Sequence, residues 1–233
     1  NAACEPEITQ LCEYLNLMGA KISGIGTKRL VIKGVDELKS ANIDVIPDRI
    51  EAGTFLAAGA LLGEITLKHV NPGHLETVIE KFKEAGCNIH TSSDSITISK
   101  AKSINAVDMT TAVYPGFPTD LQAQWVAFMT LANGSSLVKD TVYHDRFSHI
   151  PELNRFGANI KLDQNTAFIR GVDELVGAPV MSTDIRASAS LIVAGLAAKG
   201  ITEVSRIYHI DRGYEKIEEK FKKLGASIDR EIK

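Results

Sequence analysis

One pattern recurs along the chain: a helix ends at a glycine, and a strand begins near an isoleucine three residues later. The pattern occupies residues 19–22, 86–89, 157–160 and 225–228. Glycine suits such a helix end because other residues are strained in the left-handed conformation found there. Several copies in one chain predict a repeated supersecondary unit, and this constrains the fold more than any single motif does.

A second feature recurs ahead of three of these glycines. Asp48, Asp120 and Asp184 each precede a run of small and apolar residues, at a nearly constant distance from the next such glycine. Each aspartate is predicted to cap a first helix, which ends at Gly63, Gly134 or Gly200. Short strands should follow, such as 64–68 and 135–139, then an amphipathic helix and one or two further strands. The unit is therefore predicted to be β-α-β-α-β-β, and the fold class to be α/β.

The spacing of apolar residues supports the second helix of each unit. Residues at i, i+3, i+4 and i+7 lie on one face of a helix. The first copy has this spacing in Leu75, Val78, Ile79 and Phe82, and the last copy has a similar one in Tyr214, Ile217, Phe221 and Leu224. Both sets are predicted to face the core.

The position of the repeats predicts the domain organisation. Residues 47–233 contain three consecutive units, at about 47–115, 116–180 and 181–233. Residues 1–46 contain a second-helix segment and strands but no aspartate-headed first helix, so we expect them to be the tail of another, largely missing domain. The chain also opens on Asn1 rather than Met, which suggests a fragment.

Composition excludes several functional classes. The chain has 233 residues, 44% of them hydrophobic, and a net charge of -3, which gives no long-range attraction for nucleic acid or anionic membranes. Its longest apolar run, 55–62, is far shorter than the roughly 20 residues of a membrane helix. Three cysteines without metal-type spacing fit a reducing cytosol. Walker, GxGxxG, HExxH and GxSxG motifs are missing, so we expect no metal ligand, no cofactor and no hydrolase nucleophile.

Two interpretations of the aspartates remain open at this point. Aspartate is among the commonest helix caps, which would make all three structural. Alternatively, the positive N-termini of equivalent helices converge on a shared anion site. Arg186 and Arg212 would then clamp a carboxylate or phosphate. An aspartate among such arginines stays ionised and can accept a proton from a bound hydroxyl.

The ordered motifs of the chain resemble those of the enolpyruvyl transferase family. They occupy residues 1–7, 47–51, 117–124, 184–190 and 206–214, so the resemblance covers essentially the whole chain. It implies a two-domain, inside-out α/β barrel-like fold, with three repeats per domain and helix N-termini facing the interdomain cleft. It also implies transfer of the enolpyruvyl group from phosphoenolpyruvate to the 3-hydroxyl of UDP-N-acetylglucosamine, with release of phosphate. That reaction is the first committed step of peptidoglycan synthesis in the bacterial cytoplasm and links to cell-wall biogenesis, cell shape and cell division.

The resemblance also implies roles for individual residues. Asp120 matches the aspartate that contacts the sugar hydroxyl and acts as the base. Asp184 matches a second carboxylate near the reacting centre. Arg186 and Arg212 match arginines that hold phosphoenolpyruvate. Val142 matches a position that contacts the UDP-sugar through its backbone.

The chain also departs from the family pattern. The Lys-Asn pair at the hinge, a further arginine and the mobile loop with an acid cysteine belong to the family's N-terminal half. Cys4, Cys12 and Cys87 do not match that loop. The segment Asp48-Arg49 lies near the expected domain crossover and is interpreted as hinge or cleft structure. We therefore expect this chain to be inactive alone and to need the missing N-terminal half as its partner. A non-catalytic anion-binding repeat module and a 5-enolpyruvylshikimate-3-phosphate synthase-like transferase remain the alternatives.

Overall fold

The computed structural model describes residues 1–231. The first segment forms one helix and a small antiparallel hairpin, α1 (Pro6–Leu17), β1 (Lys21–Ser23) and β2 (Val31–Lys33). Pro6 occupies the first turn of α1, where its missing N–H leaves no hydrogen bond unmade. Within the described range, no helix combines the length and apolarity needed to cross a bilayer.

The first repeat unit has five of the six predicted elements. They are α2 (Arg49–Leu62), β3 (Glu64–Lys68), α3 (Glu76–Glu84), β4 (Asn88–Thr91) and β5 (Ser95–Ser99), with a 3-10 turn at Pro72–His74. Its sheet is antiparallel in the order β3-β5-β4. The leading strand of the repeat order is missing from this unit, since residues 41–48 form no strand. The side chain of Gln10 instead bonds the Asp44 carbonyl and the Ile46 N–H, which occupies the backbone groups that a sheet would use.

The second unit is complete. Its elements are β6 (Met109–Thr110), a 3-10 turn (Thr119–Leu121), α4 (Gln122–Met129), β7 (Ser135–Lys139), α5 (His149–Arg155), β8 (Asn159–Asp163) and β9 (Thr166–Arg170). The sheet runs β6-β7-β9-β8, with β6 parallel to β7 and the other pairs antiparallel. With β6, which lies before the predicted start of this unit at about 116, the elements follow the predicted β-α-β-α-β-β order, and β7 has the predicted bounds 135–139.

The third unit contains β10 (Pro179–Met181), α6 (Ile185–Ala197), β11 (Glu203–Ser205), a 3-10 turn (Ile207–Arg212) and α7 (Ile217–Lys223). β10 and β11 pair in parallel. The expected final strands do not form over 226–231, and the last two residues of the predicted 181–233 unit lie outside the described range. Ala226 and Ile228 pack against the core instead, while Arg230 pairs with Asp211 and Glu218.

The second helices end where the repeat predicts, and α2 ends next to Gly63, but α4 ends at Met129 and α6 at Ala197, before the predicted Gly134 and Gly200. The recurring glycines all have positive φ: 104° at Gly19, 93° at Gly86, 87° at Gly157 and 93° at Gly225. This confirms the left-handed helix end that the pattern predicts. The apolar faces of α3 and of the last copy are buried as predicted, except at Leu224, which is 52% exposed. α7 ends at Lys223, so Leu224 lies beyond the buried face.

The first helices of the units meet in the centre of the molecule. α2, α4 and α6 all contact one another. Between them, the Tyr214 hydroxyl lies 2.8 Å from the Thr54 hydroxyl, to which the Gln124 amide donates at 3.0 Å. Aromatic contacts also join the units, because Phe55 stacks on Phe221 with ring centroids 4.5 Å apart. The repeats therefore form one closed core with their helix starts close together.

Candidate functional site

Two of the predicted helix caps are confirmed. Asp48 Oδ1 accepts the N–H groups of Ile50 and Glu51 at 2.7 and 3.0 Å, which caps α2. Asp184 Oδ1 accepts the N–H groups of Arg186 and Ala187 at 2.8 and 2.9 Å, which caps α6. Each carboxylate thus satisfies backbone donors that a helix start otherwise leaves unpaired.

The third predicted cap is wrong. Asp120 lies inside the 3-10 turn Thr119–Leu121, and α4 begins only at Gln122. The flanking positions of both elements make no side-chain capping hydrogen bond. Because the turn separates Asp120 from the helix start, its carboxylate is not used by backbone donors and points elsewhere.

The Asp120 carboxylate is held between two arginines. Oδ1 accepts a hydrogen bond from Nη1 of Arg146, and Oδ2 lies 3.0 Å from Nη2 of Arg186. Burial by itself raises the pKa of Asp120. The charges of Arg186 and Arg146 and their hydrogen bonds outweigh it, so the pKa lies below its ordinary value. The side chain keeps 31% of its surface exposed, which leaves the carboxylate within reach of a ligand.

Arg146 was missed by the sequence reasoning, although a signal existed. It lies on the loop after β7, at the same offset from its strand as Arg212 has from β11. Applying the repeat to the predicted Arg212 would have pointed to Arg146. The Arg146 guanidinium also lies over the Tyr143 ring, 5.0 Å from its centroid. A cation over an aromatic face is attracted to it, which helps hold the arginine in place.

Asp184 is engaged on its second oxygen as well. Oδ2 accepts the Ser148 hydroxyl at 2.8 Å and the Thr183 hydroxyl at 3.4 Å. Burial raises the pKa of Asp184, but the N–H of Ala187, the Ser148 hydroxyl and the N–H of Arg186 outweigh it, so the pKa is lowered. Four donors face this carboxylate, so it fixes the start of α6 from which Arg186 extends.

A buried histidine lies next to this cluster. His149 begins α5, is 1% exposed and stacks on Phe147. Burial lowers the pKa of His149 to about 4, although the nearby Asp184 charge opposes this. His149 is therefore neutral at physiological pH and adds no positive charge to the site.

The structure does not bring Arg212 to Asp120. Arg212 is exposed at the end of its 3-10 turn and forms no ion pair with any described residue. The turn does pack on α6. A Cβ added to the neighbouring Gly213 would lie 2.5 Å from Cδ1 of Ile185. Arg212 is thus placed beside the start of the helix that carries Arg186.

The loop with Val142 lies on the same side as Arg146. Val142 is 44% exposed, and its N–H donates to Asp140 Oδ1 at 3.0 Å. The Val142 N–H is therefore already hydrogen-bonded within the chain. A ligand that contacts the backbone of Val142 would have to bind its carbonyl oxygen.

The expected hinge residue Arg49 connects the first segment to the repeats. Its Nε lies 2.8 Å from Oε1 of Glu7 in α1, and its guanidinium lies over the Tyr114 ring. The Arg49 side chain is only 10% exposed. Arg49 thus joins residues 1–46 to α2 rather than to the Asp120 cluster.

The arrangement suits an anionic ligand. Two guanidinium groups flank one carboxylate near two helix starts, and guanidinium groups bind carboxylates and phosphates bidentately. Over residues 1–231, no three His, Cys, Asp or Glu side chains gather as a metal-binding group.

Comparison with known proteins gives consistent results. The family model for EPSP synthase (3-phosphoshikimate 1-carboxyvinyltransferase) matches residues 1–221. A UDP-N-acetylglucosamine 1-carboxyvinyltransferase of Chlorobium chlorochromatii is 56% identical over 99% of this chain and 55% of its own length. The enzyme of the same name from Chloroherpeton thalassium is 59% identical over 99% of this chain and 54% of its own length. The chain spans about half the length of the curated relatives it matches.

Solved structures show the same fold. The enolpyruvyl transferase NikO from Streptomyces tendae matches with a TM-score of 0.86 and 27% identity, over 96% of this chain and 54% of its own. EPSP synthase from Acinetobacter baumannii matches with a TM-score of 0.70 and 18% identity, over 93% of this chain and 54% of its own. The fold is thus the inside-out α/β fold of these enzymes. The chain belongs to the enolpyruvyl transferase family, represented by the EPSP synthase family model.

Proposed function

We propose that the full-length protein containing this chain transfers the enolpyruvyl group of phosphoenolpyruvate to the 3-hydroxyl of UDP-N-acetylglucosamine. In net terms the enolpyruvyl group replaces the hydroxyl hydrogen, which leaves with the phosphate. The reaction thus needs a base for the hydroxyl proton and cations for phosphoenolpyruvate.

The placement of Asp120 between Arg146 and Arg186 carries this proposal. Because its pKa is lowered, the Asp120 carboxylate is ionised at neutral pH and so has a free site for a proton. An anionic substrate that draws the two guanidinium groups to itself weakens their hold on Asp120. The proton affinity of Asp120 then rises when phosphoenolpyruvate is bound, as general-base catalysis requires.

The remaining residues are assigned by position. Arg186 and Arg212 hold phosphoenolpyruvate, and Arg146 joins them from the second unit. Val142 contacts the UDP-sugar through its carbonyl. Asp184 is the second carboxylate near the reacting centre, and its four donors favour a role in holding the start of α6.

The choice of acceptor rests on the relatives. Proteins named UDP-N-acetylglucosamine 1-carboxyvinyltransferase are 52–59% identical to this chain, whereas the EPSP synthase structure is 18% identical. This difference favours the UDP-sugar over shikimate 3-phosphate. The reaction would begin peptidoglycan synthesis in the bacterial cytoplasm and so serve cell-wall biogenesis, cell shape and division.

Residues 1–46 are proposed to belong to the other domain, and 47–233 to a domain of three units. Two observations support this. Cys12 and Ile22 are buried, but neither belongs to the main core cluster. Large apolar side chains of this segment are also exposed: Leu11, Leu17, Val31, Ile32, Val35, Leu38 and Val45. The other half of the enzyme would cover them and is the proposed partner of this chain.

The experiment is an assay of phosphate release from phosphoenolpyruvate by the full-length protein. Release that depends on UDP-N-acetylglucosamine is expected, and the 233-residue chain alone should be inactive. Release that depends instead on shikimate 3-phosphate would move the protein to the shikimate enzymes. No release with either acceptor, while phosphoenolpyruvate still binds, would favour a non-catalytic anion-binding module.

A further inference from the structure

The carboxylate that accepts the Val142 N–H, Asp140, lies directly after β7 and is buried. Asp140 has 0% exposure. Its Oδ1 accepts the Thr111 hydroxyl at 2.7 Å and the N–H groups of Val142 and Tyr143 at 3.0 and 2.9 Å. Its Oδ2 accepts the Thr119 hydroxyl at 2.6 Å. Four donors therefore face one buried carboxylate, three at Oδ1 and one at Oδ2.

The two oxygens of Asp140 hold different segments of the chain. Oδ1 shapes the turn after β7, which opens the loop that carries Arg146. Oδ2 holds Thr119, the residue immediately before Asp120. Since Asp120 and Arg146 pair with each other, the contacts close a ring through the Asp140 carboxylate.

We propose that Asp140 is a positioning residue that sets the placement of Asp120 relative to Arg146. The consequence of this placement for catalysis rests on the proposed function. The hydrogen bonds of Asp140 are observed in the structure and do not depend on that proposal. A buried carboxylate that loses a donor is costly, because the interior offers no water to replace it. Both segments are therefore held in place, and the base keeps its cationic neighbour.

The prediction concerns proton affinity as well as stability. The charged groups that face Asp120 are Arg146 from the loop and Arg186 from α6. If the Thr119 contact is cut, Asp120 should move relative to Arg146 and lose part of its stabilisation as an anion. A carboxylate that served folding alone would not change the titration of Asp120.

The first experiment uses Thr119→Val in the 233-residue chain, which removes only the hydroxyl that reaches Oδ2. Thr119→Ser keeps this hydroxyl, and Thr97→Val is the matched control, since it removes a hydroxyl bonded to Thr66 at 2.9 Å on β5, outside the Asp120 cluster. The carboxyl ¹³C signal of Asp120 is titrated by NMR. The midpoint should rise in Thr119→Val and stay at the wild-type value in the other two variants.

The second experiment measures turnover in the full-length protein. Thr119→Val should lower kcat about tenfold or more, because small misplacements of catalytic groups have large effects on rate. The acidic limb of its pH profile should move to higher pH. Thr119→Ser should stay within about twofold of wild type in this assay, as the conservative rescue. Thr119→Ala, which removes the same hydroxyl with less bulk, is made in parallel in case the valine disturbs folding.

The outcomes separate the two proposals. A wild-type titration midpoint in folded Thr119→Val or Thr119→Ala, even with reduced stability, would overturn the positioning role. A raised midpoint in the chain, together with a full-length wild type that releases no phosphate, would support the positioning role and contradict the proposed function.

Discussion

The starts of α4 and α6 differ in how they use an aspartate. At α6, Asp184 is occupied by two backbone N–H groups and two hydroxyls. At α4, a 3-10 turn replaces the cap and leaves Asp120 to pair with two arginines. Equivalent positions in a repeat can therefore diverge in role through a local change of a single turn. The backbone, rather than the residue type, decides which carboxylate is available for chemistry.

The largest effect should come from Asp120→Ala in the full-length protein. Loss of a general base typically lowers the rate by about 10²-fold or more. Asp184→Ala should affect turnover less, since its carboxylate is already engaged. Steady-state kcat measures both variants, and an equal loss of rate in the two would remove the distinction between the helix starts.

The arginines should show the next largest effect. Arg186→Ala and Arg146→Ala each remove a charge-assisted contact, worth about 1.5–3 kcal/mol, so the KM for phosphoenolpyruvate should rise roughly tenfold or more. Lys199→Ala is the control, because it removes a cation paired with Glu174 on the surface. An unchanged KM with a lower melting temperature would mean that the arginines serve the fold and not the ligand.

Stability should rank the aspartates in the opposite order. Asp48→Ala and Asp184→Ala each remove a cap and should lower the free energy of unfolding by about 0.5–2 kcal/mol. Asp120→Ala should change it less, because no backbone donor depends on that side chain. Urea denaturation of the 233-residue chain measures all three variants. A larger loss for Asp120→Ala than for the two caps would contradict the structural comparison.

The smallest effect should be a pH dependence. The folded pKa of Asp184 is lowered, so its contribution to stability is present above the unfolded value of about 3.9 and is lost as the pH falls through the folded pKa. Asp184→Asn keeps a cap but cannot titrate. The stability difference between wild type and Asp184→Asn, from urea denaturation at pH 7 and pH 3, should therefore shrink on acidification. A constant difference would show that the charge of Asp184 is not what stabilises α6.

Much of the fold could be predicted from the sequence because the repeat is local. Glycines at helix ends and apolar residues at helical spacing depend on a few neighbouring residues, so β3 and β7 were placed at their true bounds. The missing strand before α2 could not be predicted, because it depends on the distant side chain of Gln10. Residues 226–231 likewise form no strand, because strand formation depends on which other segments lie beside them and not on the local sequence alone.

The site was predictable only in part for a similar reason. Asp120, Asp184 and Arg186 stand in recognisable motifs, whereas Arg146 and Asp140 act through contacts between segments far apart in sequence. The 3-10 turn at Thr119–Leu121 was not predicted, because the sequence around Asp120 resembles the sequences at the two capped helix starts. Arg146 could be found only by comparing equivalent positions of the repeat units, and Asp140 only from contacts between segments that are separate in sequence.

The buried contact of Thr54, Gln124 and Tyr214 bears on how the chain unfolds. In a linear repeat array each unit touches only its neighbours, so such proteins can lose structure one unit at a time. Here side chains from all three units meet at one point, and no unit lies at an end. Partial unfolding of any unit would expose the hydrogen-bonding groups of the other two. Residues 47–231 should therefore melt in a single cooperative transition, despite their repeated sequence.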